Sequence, residues 1–361
     1  MPSFLKLFLG FYGVVVVLGL LVALIDPYGL WGHRLLTKPT EILEHGGRQY
    51  HSARTTVEHY DYVFLGSSRA RHGLDPAPLQ SLGRTYNAAL GGASSFEISA
   101  FMAHLASRSQ PKAVLVGIDL FGFSPSRETK GDFASSQLAG KPLIEVQMQN
   151  SLSAEGLGAA AVALSKNVSQ TELDPPVFFS DRVPGRHYQR WLSTARHCAG
   201  QCWSGFDPGE PVIDPARLQE FEQALDALAA QDVEVILFFN PVHATLLDLL
   251  DQLGLAGHFE ALRRDLYLMA VRANQRYGAK VALWDFTGCG APWNEPIPDD
   301  PDQEMHYYYE MAHYTPALGN QVLKRLFPAI DIGAAPLESF GVNLTDIASP
   351  DALPALDLQR C

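Results

Sequence analysis

The stretch DYVFLGSSRARHGLDP (Asp61–Pro76) decides how the chain is read. A short apolar run, Tyr62–Gly66, ends abruptly in two serines, two arginines and a histidine. Apolar runs of about four to eight residues mark strands covered on both faces. Ligands of open parallel sheets bind where strands end, so polarity crowded just after such a run marks a candidate site. Working outward, four more strand-like runs appear: Arg84–Ala88, Lys112–Ile118, Val233–Phe239 and Lys280–Phe286. Helical signals alternate with them. Ser94-Ser95-Phe96-Glu97 has capping-box spacing ahead of an apolar-periodic run to about His104. Pro215–Ala230 and Leu255–Tyr277 have helical periodicity. Thr315-Pro316 reads as an N-cap followed by proline at the first helical position, opening a helix to about Phe327. The alternation predicts an α/β fold, a three-layer α/β/α sandwich around a central, mostly parallel sheet over residues 61–330.

The chain has 361 residues, four cysteines and a formal charge of −12, with no basic stripe of the kind nucleic-acid binding needs. Leu7–Ile25 carries no charge over nineteen residues, about the length that crosses a hydrocarbon core. No small-residue cleavage site follows it, so residues 1–25 are expected to stay as a membrane anchor. Lys6 and the amino terminus place the N-terminus in the cytoplasm by the positive-inside rule, making a single-pass protein of the cytoplasmic (inner) membrane with its body periplasmic or extracellular. Residues 26–60 read as a polar stalk or linker. Residues 119–232 are too long for a plain crossover and read as an insertion, a lid over the site. It contains helical pieces at Ser136–Ser153 and Ala154–Lys166 and a Pro/Gly/aromatic stretch, Pro175–Pro215. Residues 331–361 read as a loosely packed tail. Cys198 and Cys202 are close enough to form a small disulfide in an oxidising compartment, or are two unrelated thiols.

The polar residues after each run supply the candidate chemistry. They are Ser67, Ser68 and Arg69, then Asn87 and Gly91-Gly92, then Asp119, then Asn240 and His243, and finally Glu310 and His313 near the last helix. A hydroxyl, an imidazole and a carboxylate converging on one sheet edge are the parts of an acyl-transfer site. A serine at a strand-to-helix turn is exposed, with backbone N–H groups nearby to bind an oxyanion. His313 is placed to take its proton and Glu310, three residues earlier, to orient the ring. Other readings stand beside these. Ser67 and Ser68 also suit a helix cap. Gly91-Gly92 also suits a tight turn, and Asp119 suits an ion pair with Arg69. His243 is read as lining the site or lying on the surface. Arg69, Arg71 and His72 suit an anionic sugar or acyl phosphate, or plain solvation. Tyr307, Tyr308, Tyr309 and Tyr314 suit sugar stacking or a packed aromatic edge.

The pattern resembles the SGNH (GDSL-like) hydrolase superfamily. Gly66-Ser67-Ser68 is similar to its Gly-Asp-Ser block, Asn87–Gly92 to the block whose glycine N–H serves the oxyanion hole, and Gly117-Ile118-Asp119 to Gly-x-Asn-Asp. Glu310-Met-Ala-His313 is similar to the closing Asp-x-x-His. The resemblance covers Asp61 to Leu326 with the blocks in order. It implies a flavodoxin-like SGNH fold, Ser68 as nucleophile, His313 as base, Glu310 as the orienting acid, and no cofactor or metal. Ser67 stands where the family has Asp, and Asp119 where it has the oxyanion-donating Asn. The hole is then expected to rest on the N–H groups of Ser68 and Gly92, with Asn87 or Asn240 as substitute donor. The anchor, Asp26-Pro27-Tyr28-Gly29, Gly66–Arg69 and His313-Tyr314 also resemble a membrane-anchored subgroup serving alginate O-acetylation and teichoic-acid D-alanylation. That likeness implies an O-acetyltransferase or esterase acting on exported or cell-surface polysaccharide, or a catalytically silent partner. The expected partners are the glycan or acyl-ester substrate, a membrane-bound O-acyltransferase and the membrane, with no nucleic acid.

Overall fold

The computed structural model describes residues 2–32, 47–129, 131–168, 212–278, 280–298 and 303–355. In chain order the first helices are α1 (Pro2–Ile25), α2 (Gly47–Val57), α3 (Ser68–Gly73), α4 (Ser95–Arg108) and α5 (Leu143–Ser151). They are followed by α6 (Ala154–Val168), α7 (Pro215–Ala229), α8 (Ala244–Gln252), α9 (Ala256–Tyr277) and α10 (Pro316–Leu326). The strands are β1 (Tyr62–Leu65), β2 (Thr85–Asn87), β3 (Ala113–Ile118), β4 (Glu234–Phe239), β5 (Val281–Asp285) and β6 (Val342–Asn343). The chain divides into two compact units, Met1–His59 with Lys130–Val177, and Tyr60–Thr129 with Phe178–Cys361.

The second unit is built on one six-stranded sheet of order β2-β1-β3-β4-β5-β6. All pairings are parallel except that of β6, which runs antiparallel to β5. The five parallel strands coincide with the five apolar runs of the sequence. Every residue of β3 is buried, and every residue of β4 after Glu234, which is why their sequences show no alternation. Helix starts follow local chemistry. Ser94 and Glu97 complete a reciprocal capping box at α4. Asp214 caps α7 by accepting from Ala216 N–H at 2.9 Å. Thr315 and Pro316 do open α10, but the Thr315 hydroxyl donates instead to His306 O at 2.7 Å. Helices α4 and α7 pack together, as do α3 and α10.

From β1 the chain adds β2 on one side and β3 on the other, so the strand order reverses between β1 and β3. Beyond the carboxyl ends of such a pair lies the crevice in which open α/β sheets bind ligands. Ser67 and Ser68 follow β1, and Asp119 follows β3.

Three segments differ from the sequence expectation. The tail is not loose. Phe340 and Leu344 are buried, β6 extends the sheet, and Tyr267 OH and Arg263 donate to the carbonyls of Ile347 and Pro354. The expected stalk contains α2, whose Arg48, Ser52 and Thr55 are buried. The expected insertion is not one body. Residues 119–129 belong to the sheet unit, whereas the helical pieces α5 and α6 join α1 and α2 in the first unit. No apolar strand-like or capped pattern announced α8, a nine-residue helix. The stretch 169–211, with Cys198, Cys202 and most of Pro175–Pro215, lies outside the described residues. Cys289 is disulfide-bonded.

Candidate active site

The corner after β1 is tight. Gly66 has φ of +144°, and a Cβ there would lie 2.8 Å from Ala70 Cβ and 3.1 Å from Gly117 O. Only glycine fits, and the chain turns at once into α3. Ser67 is the N-cap, accepting from Arg69 N–H at 3.3 Å. Ser68 is the first residue of α3 and half-buried. At that position the helix offers no acceptor for its own N–H. Helix α3 is clamped from behind by α10 and by Tyr314, since a Cβ on Gly73 would fall 1.9 Å from the Tyr314 ring.

The partner residues come from the loop before α10. Tyr308 and Tyr314 form an isolated antiparallel bridge. Within it Tyr309 N–H donates to His313 O at 2.9 Å, and Thr315 N–H to Tyr307 O at 2.9 Å. His243 N–H donates to Met311 O at 3.0 Å and Tyr308 OH to Val242 O at 3.3 Å, tying the loop to the segment after β4. This small hairpin holds Glu310 and His313 side by side.

His313 Nε2 lies 2.8 Å from Ser68 Oγ, although the two residues are 245 positions apart. Its Nδ1 faces Glu310 Oε1. Glu310 Oε2 accepts from Ala312 N–H at 3.0 Å. With Nδ1–H donating to the carboxylate, Nε2 is left to accept the serine proton. The ring of His313 is 22% exposed and the Glu310 side chain 5%. Burial pushes the Glu310 carboxyl up, but the attraction and hydrogen bond of His313, the Ala312 N–H and Arg69 outweigh it and hold the group below its ordinary range. A serine, an imidazole and an ionised carboxylate thus stand in line, the arrangement that makes a hydroxyl nucleophilic.

A second cluster lies on the other side of the same corner. Ser67 Oγ donates to Asp119 Oδ2, and Arg69 Nη1 pairs with Asp119 Oδ1 at 2.6 Å. Asn240 Nδ2 donates to Asp119 Oδ1 at 3.1 Å and to Ile118 O at 3.2 Å. Its Oδ1 accepts from Tyr314 OH at 3.0 Å. Burial first, then the Asp119 charge, push the Tyr314 hydroxyl well above its ordinary value, so it stays a donor. The Arg69–Asp119 ion pair is present as the sequence suggested. Beside it is a small cleft walled by Leu120, Phe239, Leu246 and Phe259.

Asn87 and Asn240 do not have the free amide that an oxyanion donor requires. Asn87 Nδ2 donates to the carbonyls of Ala70 at 3.1 Å and Leu74 at 2.9 Å, and its Oδ1 accepts from Ala89 N–H. It caps the carbonyl end of α3. His243 neither lines the site nor lies on the surface. It is a buried N-cap of α8, with Nε2 donating to Glu295 O at 2.9 Å and Nδ1 against the Thr245 hydroxyl at 3.0 Å. Burial drives its pKa down, partly offset by Glu295. Leu90 N–H donates to Gly66 O at 2.9 Å, which holds the turn of Gly92 (φ +63°) beside the β1–α3 corner. Tyr308 and Tyr314 are buried and Tyr307 and Tyr309 half-buried, so two of the four tyrosines are packing residues. Reading the sequence missed the Tyr314 hydroxyl and the Ala312 N–H. Only their closeness to His313 signalled either one.

Comparison of the chain with protein-family models finds no match, and comparison with curated proteins finds none either.

Proposed function

We propose that the chain is a serine acyl-ester enzyme, an esterase or O-acyltransferase, with a three-layer SGNH-like domain. The observation that carries this is the contact of Ser68 Oγ with His313 Nε2 at 2.8 Å, backed by Glu310 on Nδ1. Ser68 Oγ attacks the acyl carbonyl while Nε2 takes its proton. The tetrahedral oxyanion is held by the N–H groups of Ser68 and Gly92. Collapse expels the alcohol, which leaves with the proton from His313, and the acyl group stays on Ser68. Water or a sugar hydroxyl then gives its proton to His313, attacks the ester and frees the serine. Which acceptor arrives decides between hydrolysis and transfer.

The substrate class, an acyl ester on exported or cell-surface polysaccharide, rests on the likeness to membrane-anchored SGNH-like proteins of glycan O-acylation. So does a membrane-bound O-acyltransferase as partner. An N-terminal helix long and apolar enough to span a membrane supports the anchored setting, and the disulfide at Cys289 supports an oxidising compartment. The test is the full chain in detergent with p-nitrophenyl acetate and a fluorophosphonate probe, beside Ser68→Ala and His313→Ala. Turnover and labelling lost in both variants uphold the reading. A folded parent protein with neither sinks it.

One observation favours a second reading. Asp119 puts a carboxylate where the resembling family has a neutral donor, and both nearby carboxamides are committed elsewhere. A catalytically silent, anchored partner for a glycan or acyltransferase would tolerate that. Such a protein would be indifferent to Ser68→Ala in a partner-binding assay and in cellular glycan acylation.

A further inference from the structure

The first unit differs from the second in what its helices bury and what they expose. In the sheet unit α4 buries Ile98, Phe101, Met102 and Leu105, as a helix in water does. In the first unit polar groups are buried beside a small apolar cluster of Leu30, Ala53 and Val146. Gln147 of α5 donates to Leu30 O at 2.7 Å, and Asn150 to Gln49 Oε1 at 2.7 Å. Trp31 Nε1 donates to Ser151 Oγ at 3.2 Å. Arg48, Ser52, Thr55 and Gln137 are buried as well.

Val146 of α5 is buried, but several other large apolar side chains of α5 and α6 point out. Ile144 and Met148 of α5 and Leu152 just past its end recur every four residues and are 53–54% exposed, with Glu145 and Gln149 held by Lys141 beside them. On α6, Leu157, Val162 and Leu164 are 39–42% exposed, while the buried residues include Ala159, Ala160 and Ala163. Between Glu155 and Lys166 that helix carries no charge. Both helices pack against α1, where bare Gly19 leaves room for the tip of Leu152: a Cβ there would lie 2.6 Å from Leu152 Cδ2. Small residues at the helix contacts and large apolar ones outside are the packing rule of lipid, where burying a leucine gains nothing.

We propose that α5 and α6 insert beside α1 into one leaflet of the bilayer, so that lipid acyl chains cover their outer faces. The inference rests on α1 entering a membrane and is independent of the esterase chemistry. Continuity with α1 argues for lipid, because α5 and α6 pack on a helix whose apolar span runs 23 residues, from Ser3 to Ile25. Length argues for one leaflet. At about 1.5 Å per residue α6 spans roughly 22 Å, short of the ~30 Å core.

The test uses the full chain, first in phosphatidylcholine vesicles and then in native membranes. The photo-crosslinking residue p-benzoylphenylalanine replaces Phe8, Met148 or Leu157 in turn, with unirradiated protein as background. All three side chains are exposed, so the substitutions spare the fold, and circular dichroism matching the parent checks it. Lipid adducts at all three positions, found by mass spectrometry, are expected. Lipid at Phe8 but none at Met148 and Leu157 overturns the proposal, and a protein adduct there identifies a partner's docking face instead. Absence of lipid at Phe8 as well overturns it together with the anchor.

Discussion

Two regions reach the serine pair from opposite sides, the hairpin carrying Glu310 and His313 and the end of β3 carrying Asp119. Each brings one carboxylate. The hairpin carboxylate touches an imidazole, and that imidazole touches Ser68. The β3 carboxylate touches a guanidinium, a carboxamide and Ser67 directly. An imidazole accepts and returns a proton near neutral pH, whereas an arginine does not. Adjacent residues with the same hydroxyl therefore have different prospects. Ser68 has a base to activate it, and Ser67 is fixed as donor to an ion pair and as a helix cap. The difference teaches that a carboxylate's role here is set by whether an imidazole stands between it and the hydroxyl.

The comparison is broken most forcefully at Ser68. Ser68→Ala should lower ester turnover by about 10⁵-fold and abolish fluorophosphonate labelling, with the unfolding transition unchanged. Equal labelling of Ser67 in that variant would erase the distinction. Next comes Glu310→Gln, which should cost about 10⁴-fold in kcat, because the amide no longer selects the Nδ1–H tautomer. Asp119→Asn should act mainly on stability. It removes the Asp119 charge that the partly buried Arg69 pairs with and should cost about 2 kcal/mol in a denaturant titration. If the new amide also raises turnover, the carboxylate had been opposing the oxyanion.

The acid response sharpens the contrast further. The Glu310 carboxyl is held below its ordinary 4.5 in the folded protein, so the unfolded chain binds that proton first. Its contribution to stability is therefore complete above about 4.5 and is lost as the pH falls through the folded value. The stability gap between the parent and Glu310→Gln should shrink over that window when urea midpoints are measured. A gap unchanged by acid would show that the carboxylate is not ionised in the fold. The smallest effect belongs to Ser67→Ala, which removes one cap and one bond to Asp119. It should cost about 1 kcal/mol and leave turnover within a few-fold of the parent.

Much of the sheet unit was legible in local sequence, because a doubly covered parallel strand must be apolar throughout. The five runs follow from that, and the helix starts at Ser94 and Pro316 follow from local capping chemistry. The sixth strand was illegible, since two residues at a sheet edge carry no periodicity. The helices α5 and α6 were legible as helices but not as neighbours of α1. Periodicity tells which face is apolar and not what covers it. The same limit hid the fate of His243, whose sequence neighbours do not show that Glu295 O lies across from it.

The sequence by itself determined the strand-helix alternation, the apolar N-terminal helix and the residue types at each strand end, all properties of short stretches. Only the tertiary structure decided which hydroxyl meets the imidazole, that both asparagines are spent on backbone and side-chain acceptors, and that a tail expected to be loose closes the sheet. Those are contacts between residues tens to hundreds of positions apart. They depend on strand order and on close approaches such as Tyr314 against Gly73, which no local pattern encodes.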